Sequence, residues 1–131
     1  MKVVALDYGS ARTGVAASDP SGTLARPVGV VERVGSRAGF ERLLALVRAE
    51  APERVVVGLP LTLRGRLGEQ AQETELFVEK LRGAVDVPVE SYDERFTTGL
   101  AGRDAGRSAE DARAAAHLLT SYLQWASGRQ R

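Results

Sequence analysis

The strongest constraint on the fold is a series of short, unbroken valine-rich runs separated by helix-length stripes. The runs are Val3–Leu6, Gly14–Ala17, Val28–Val31, Val55–Val57 and Val87–Tyr92. Apolar runs of this length without alternation suit strands covered on both faces. Between and after the later runs, apolar residues recur at i, i+3, i+4 and i+7: Phe40, Leu43, Leu44 and Val47, then Thr74, Phe77, Val78 and Leu81, then Ala115, Leu118, Leu119 and Tyr122. Each set is one apolar stripe on a helix. A shorter helix is expected to begin near Thr97. Three strands followed by alternating helices and strands predict an α/β fold, a five-stranded mixed sheet with Val3–Leu6 central and helices on both faces.

At 131 residues the chain is long enough for one domain with a core and too short for two. It has no cysteine, which excludes disulfides and thiolate metal sites and makes a reducing cytoplasm the expected compartment. No apolar run approaches the roughly 18 residues of a membrane span. Met1 and Lys2 lead straight into a strand, so neither a membrane partner nor a signal peptide is expected. Net charge is +1, but 16 of the 18 basic residues are Arg, the side chain suited to bidentate phosphate contacts. The Gly- and Arg-rich segments Arg64–Gly68 and Gly102–Arg107 are expected to be loose, and Ser127–Arg131 to fray.

Acidic residues stand at the ends of these elements. Asp7 closes the first strand, where a carboxylate needs a positive compensator, either a basic side chain or a metal. Asp93 and Glu94 follow the fifth run, and strand alternation turns them to opposite faces, so one of the two can join Asp7. Asp111 precedes Ala115 by four residues and Leu118 by seven, on the face of the apolar stripe. The small Ala114 and Ala115 would let that helix approach the sheet closely. Ser108-Ala109-Glu110-Asp111 also has the form of a capping box, which offers Asp111 a purely structural role. Three such carboxylates suit a two-metal site for Mg²⁺ or Mn²⁺, hard cations that take oxygen ligands and support phosphodiester hydrolysis. The composition weighs against a zinc enzyme, and the single histidine, His117, falls on the flank of the last helix. Val57-Gly58-Leu59-Pro60 opens into Leu63-Arg64-Gly65-Arg66, a loop beyond a strand end where α/β sheets bind ligands. Arg64 and Arg66 flank Gly65 there and are expected to contact nucleic-acid backbone.

Four motifs, in order along nearly the whole chain, resemble those of the YqgF/RuvX family. They are Asp7-Tyr8-Gly9 with Arg12, Gly14-Val15-Ala16 and Ser18-Asp19; Val56-Val57-Gly58-Leu59-Pro60 with Gly65, Gln70 and Ala71; Asp93-Glu94-Arg95-Phe96-Thr97-Thr98 with Ala101; and Asp111 with Ala114-Ala115, Leu119 and Tyr122-Leu123. The resemblance implies a ribonuclease H-like fold, kinship with RuvC-type Holliday-junction resolvases and a cytoplasmic, metal-dependent nuclease. Family members are described as pre-16S rRNA nucleases acting at the 5′ end, and some as Holliday-junction resolvases. By motif position it implies Asp7, Glu94 and Asp111 as the catalytic, metal-binding carboxylates, with Asp93 in reserve. Arg12 and Arg95 would meet substrate phosphate or brace the acids.

The sequence departs from the family pattern in the stretch between Ala101 and Asp111, which is short and keeps only Arg103 and Arg107 of its usual basic cluster, and at Thr62, where Asn is common. Structured RNA and branched DNA are both open as substrate. A junction resolvase needs two active sites, hence a homodimer. Two other readings compete. Asp7-x-Gly9 followed by Gly14 also resembles the first phosphate motif of actin-like ATPases and sugar kinases, which need a second domain and more chain. A non-catalytic nucleic-acid-binding module would retain the acids only as vestiges.

Overall fold

The computed structural model describes residues 1–59, 69–93 and 108–129, with the backbone alone for 69, 70, 108–110 and 129. Five strands form one sheet: β1 (Val3–Asp7), β2 (Arg12–Ser18), β3 (Ala25–Glu32), β4 (Arg54–Leu59) and β5 (Val89–Asp93). Among the described residues three helices accompany them: α1 (Arg37–Glu50), α2 (Glu69–Arg82) and, after β5, α3 (Ser108–Arg129). The strand order is β3-β2-β1-β4-β5, so the first valine run is central as expected. β1 pairs antiparallel with β2 and parallel with β4, β2 pairs antiparallel with β3, and β4 pairs parallel with β5. Parallel pairing requires a crossover, and α1 carries the chain from β3 to β4.

Alternation along the strands divides the core into two layers. Val4, Leu6, Val15, Val55, Val57 and Val89 face α1 and α2, where Phe40, Leu43, Leu44, Val47, Phe77, Val78 and Leu81 close over them. Val3, Ala5, Ala16, Val56 and Tyr92 face α3 and meet Ala115, Leu118, Leu119 and Tyr122. All three helical stripes are thus buried as their spacing predicts, and Thr74 is fully buried with its stripe. Each fully buried Leu or Val contributes about 1.5–3 kcal/mol. Tyr92 and Tyr122 meet edge to face at 5.6 Å, and the Tyr122 hydroxyl accepts from the Arg54 guanidinium at 2.9 Å.

Some boundaries differ from the sequence reading. β5 begins at Val89 rather than Val87. Pro88 has no N–H to give a ladder, although its carbonyl accepts from Val55 at 2.9 Å. β3 reaches back to Ala25 across Pro27, which an edge strand tolerates on its open side. α3 runs through Arg129, so 127–129 are helical rather than frayed. The expected helix near Thr97 and the segments 64–68 and 102–107 lie outside the described residues. No described helix is long and apolar enough to cross a membrane.

The turn after β2 is held by one carboxylate. Asp19 accepts from the Ser21 hydroxyl and from the backbone N–H groups of Leu24 at 2.9 Å and Thr23 at 2.7 Å. These bonds, the Ser21 hydroxyl foremost, lower its pKa from 3.8 to about 2. A depressed folded pKa adds stability above the unfolded value and loses it as pH falls through the folded one. The stability gap between the parent and Asp19→Asn should therefore be widest above pH 4 and close towards pH 2, read by urea denaturation across that range. A gap independent of pH would show that Asp19 does not carry the turn through its charge.

Candidate functional site

The site is built at the carboxyl edge of β1, β4 and β5, on the face covered by α3. Val3 and Ala5 point into the α3 layer, so alternation gives Asp7 the same face. Asp7 is half-buried and stands opposite Gly14 of β2. Tyr8 turns the other way: its ring packs on Phe77 at 4.6 Å and its hydroxyl donates to Glu73 Oε1 at 3.1 Å. Burial, then the Glu73 hydrogen bond, push the Tyr8 phenol up to about 12. The turn between β1 and β2 is tight: a Cβ at Gly9 would lie 2.4 Å from the Arg12 carbonyl oxygen. The residues on either side of Asp7 are thereby anchored.

Gly14 brings the second carboxylate in. A Cβ there would lie 2.0 Å from the carbonyl oxygen of Asp111 and 2.6 Å from its carbonyl carbon. The first turns of α3 therefore rest directly on the β2 backbone, at the residue paired with Asp7. The helix can come this close only because position 14 has no side chain. Arg12 lies two residues before Gly14, on the same face of β2, and its Nε donates to Asp111 Oδ2 at 3.1 Å. With the two side chains 29% and 25% exposed, this pair is partly screened and stabilises by about 1 kcal/mol or less. Arg12 is thus ion-paired with Asp111.

Asp93 is the last residue of β5, opposite Leu59 of β4. Tyr92 faces α3, so alternation assigns Asp93 to the α1/α2 side, away from the face of Asp7. Glu94, Arg95, Arg64 and Arg66 lie outside the described residues. His117 is exposed on the flank of α3, as its position predicts. α3 begins at Ser108, where the capping-box motif starts, but the side chains of residues 108–110 are outside the description. Among the described residues, no three carboxylate, His or Cys side chains gather as a metal-holding group. Asp7 stands opposite Gly14, and the Asp111 backbone rests on that same residue; carboxylate oxygens are hard donors of the kind Mg²⁺ and Mn²⁺ take. The sequence reading placed Gly14 in the second strand and a family motif but missed its role as the seat of α3. The available signal was a lone glycine inside an apolar run, a mark of close backbone approach.

Sheet order, mixed pairing and helices on both faces give an α/β protein of the ribonuclease H-like fold. The same fold is found in Thermus thermophilus RuvC in complex with a Holliday junction substrate, at a TM-score of 0.58 and 23% identity over 98% of this chain and 96% of that one. It is also found in the Fowlpox virus resolvase bound to Holliday junction DNA, at a TM-score of 0.59 and 10% identity over 96% and 99%. The chain belongs to the RuvX family, described as Holliday junction resolvase, whose pattern matches residues 1–125. A Rubrobacter xylanophilus protein named "Putative pre-16S rRNA nuclease" is 44% identical over 97% of this chain and 95% of its own length. A relative of the same name from Desulforudis audaxviator is 39% identical over 94% of each chain.

The seat of α3 can be tested directly. Gly14→Ala forces the helix away from β2 and should cost about 1–3 kcal/mol, the usual penalty for overpacking. Gly29→Ala, where a Cβ meets nothing within 4 Å, should cost far less. Equal denaturation midpoints for the two variants would show that the close approach at Gly14 is not required.

Proposed function

We propose that this chain is a divalent-metal-dependent nuclease that hydrolyses phosphodiester bonds, with the 5′ end of pre-16S rRNA as its substrate in ribosome biogenesis. The observation that carries this reading is the contact of the Asp111 backbone with Gly14, the residue paired with Asp7. It supports the reading that two carboxylates distant in sequence act together on the edge where α/β sheets bind ligands. The names of relatives aligned over nearly the whole chain support the substrate. The family description favours a second reading, cleavage of Holliday junctions, which would require a homodimer with two such sites. A cytoplasmic location fits either substrate and a chain without cysteine.

Asp7 and Asp111 would hold the metal, with Glu94 as third ligand. Alternation supports Glu94 over Asp93, because Asp93 falls on the other side of the sheet. When bound, divalent cations activate a water and neutralise charge on the leaving oxygen. Asp7 offers its carboxylate from a strand end fixed by ladder pairing, and Asp111 offers its own from a helix fixed against Gly14. Arg12 orients the Asp111 carboxylate. Arg64, Arg66 and Arg95 are proposed to contact the nucleic-acid backbone rather than bases.

Two measurements test this reading. Purified protein should cleave precursor 16S rRNA near its 5′ end with Mg²⁺ or Mn²⁺. Asp7→Asn should abolish cleavage, leave the fold intact, keep or raise metal-free stability and reduce the stabilisation that Mg²⁺ gives the parent. Cleavage of four-way DNA junctions instead would select the second reading, and full activity in Asp7→Asn would end both. Changing Arg64 and Arg66 together to Ala should weaken binding across sequences and lower the salt slope by about two phosphate contacts. An unchanged slope would remove them from the interface.

A further inference from the structure

We infer that Arg12 is a resident counter-cation of the acidic site, which a divalent metal ion displaces from Asp111 as it binds. The inference rests on the nuclease reading, since it takes Asp111 as a metal ligand. Arg12 and Asp111 are held in register from two sides. The Arg12 Nε donates to Asp111 Oδ2 at 3.1 Å, and two residues along the same strand Gly14 seats the Asp111 backbone. The guanidinium therefore occupies the approach to a carboxylate oxygen that a Mg²⁺ ion would take at about 2.1 Å. Two cations cannot share that oxygen at those distances without strong repulsion. Capture through Oδ2 must move one of them, and Arg12 is the one on a flexible stem; capture through Oδ1 alone would leave the ion pair in place.

The structure gives the displaced side chain somewhere to go. Arg12 lines a groove of about 450 Å³ between β3 and the start of α3, with Val28, Gly29, Val30, Glu32 and Ala112 among its walls. Gly29 contributes only backbone to that wall. Glu32 stands opposite Arg12 in the β2–β3 ladder and offers a second carboxylate on the same side. Arg12 can thus leave Asp111 without disturbing either core layer. The exchange keeps Asp111 compensated when metal is scarce and sets the metal concentration at which the site loads.

The test is metal binding, measured without any nucleic acid. Isothermal titration with Mn²⁺ should show Arg12→Gln binding about fivefold more tightly than the parent, the scale of a partly exposed ion pair. Arg12→Lys, which keeps the charge, should stay within about twofold of the parent. Arg12→Gln binding no tighter than the parent, or Arg12→Lys tightening as much as Arg12→Gln, would overturn the inference. A parent that binds no Mn²⁺ would instead overturn the metal-nuclease reading beneath it. The parent alone supplies a readout that needs no variant. In ¹⁵N NMR the Arg12 Nε–H resonance should move in step with Mg²⁺ occupancy, and a resonance unchanged at saturation would also overturn the exchange.

Discussion

The approach of α3 to the backbone of Gly14 is the contact on which the rest of the site depends. A helix and a strand can come this near only where the strand carries no side chain. A Cβ at position 14 would have to share space with the Asp111 carbonyl. The contact sits where the strand ladder pairs Gly14 with Asp7, so it fixes the start of α3 against the hairpin that carries Asp7. Packing further along α3, at Ala115, Leu118, Leu119 and Tyr122, supplies the burial that keeps the helix there.

The two faces of the sheet divide the work. The α1/α2 side is lined with Val, Leu and Phe and takes no charge from β1. The α3 side is built from smaller residues near the site, Ala5, Gly14 and Ala16, and from large aromatics further along, Tyr92 and Tyr122. The lack of a side chain at Gly14 lets the helix backbone approach the sheet there, and Tyr92 and Tyr122 pack edge to face on the same side. Tyr8 and Asp7 are neighbours in sequence and opposites in role. The phenol ties the strand end to α2 through Glu73, and the carboxylate faces the other way.

The strands and helices were legible because each carries one unambiguous period. Continuous Val runs mark strands covered on both faces, and the i, i+3, i+4, i+7 stripes mark the three helices. Boundaries were less legible. Pro88 shortens β5 through a missing donor, and Pro27 lies within β3 only because that strand is an edge. Sequence spacing set Asp111 on the apolar face of α3 but left a cap and a functional acid both open, since both need a carboxylate at a helix start. Neither local pattern encodes the ion pair Asp111 makes with Arg12, a contact across most of the chain. Between Asp93 and Glu94, alternation stated the question from sequence, and the α3-facing side of Tyr92 turned Asp93 to the other layer.

The distance along the chain between Asp7 and Asp111 has a consequence for how the site comes into being. The sheet partner that positions Asp7 is contributed by β2, early in the chain, while Asp111 arrives on the last helix. The contact of Arg12 with Asp111, 99 residues apart in sequence, is therefore among the longest loops the chain must close, and such loops carry the largest closure cost. A ribosome-bound chain holding only the first four strands has Asp7 in its ladder and nothing opposite it from α3. The ion pair between Arg12 and Asp111, and the seat of α3 on Gly14, thus exist only once the last helix has been made and packed.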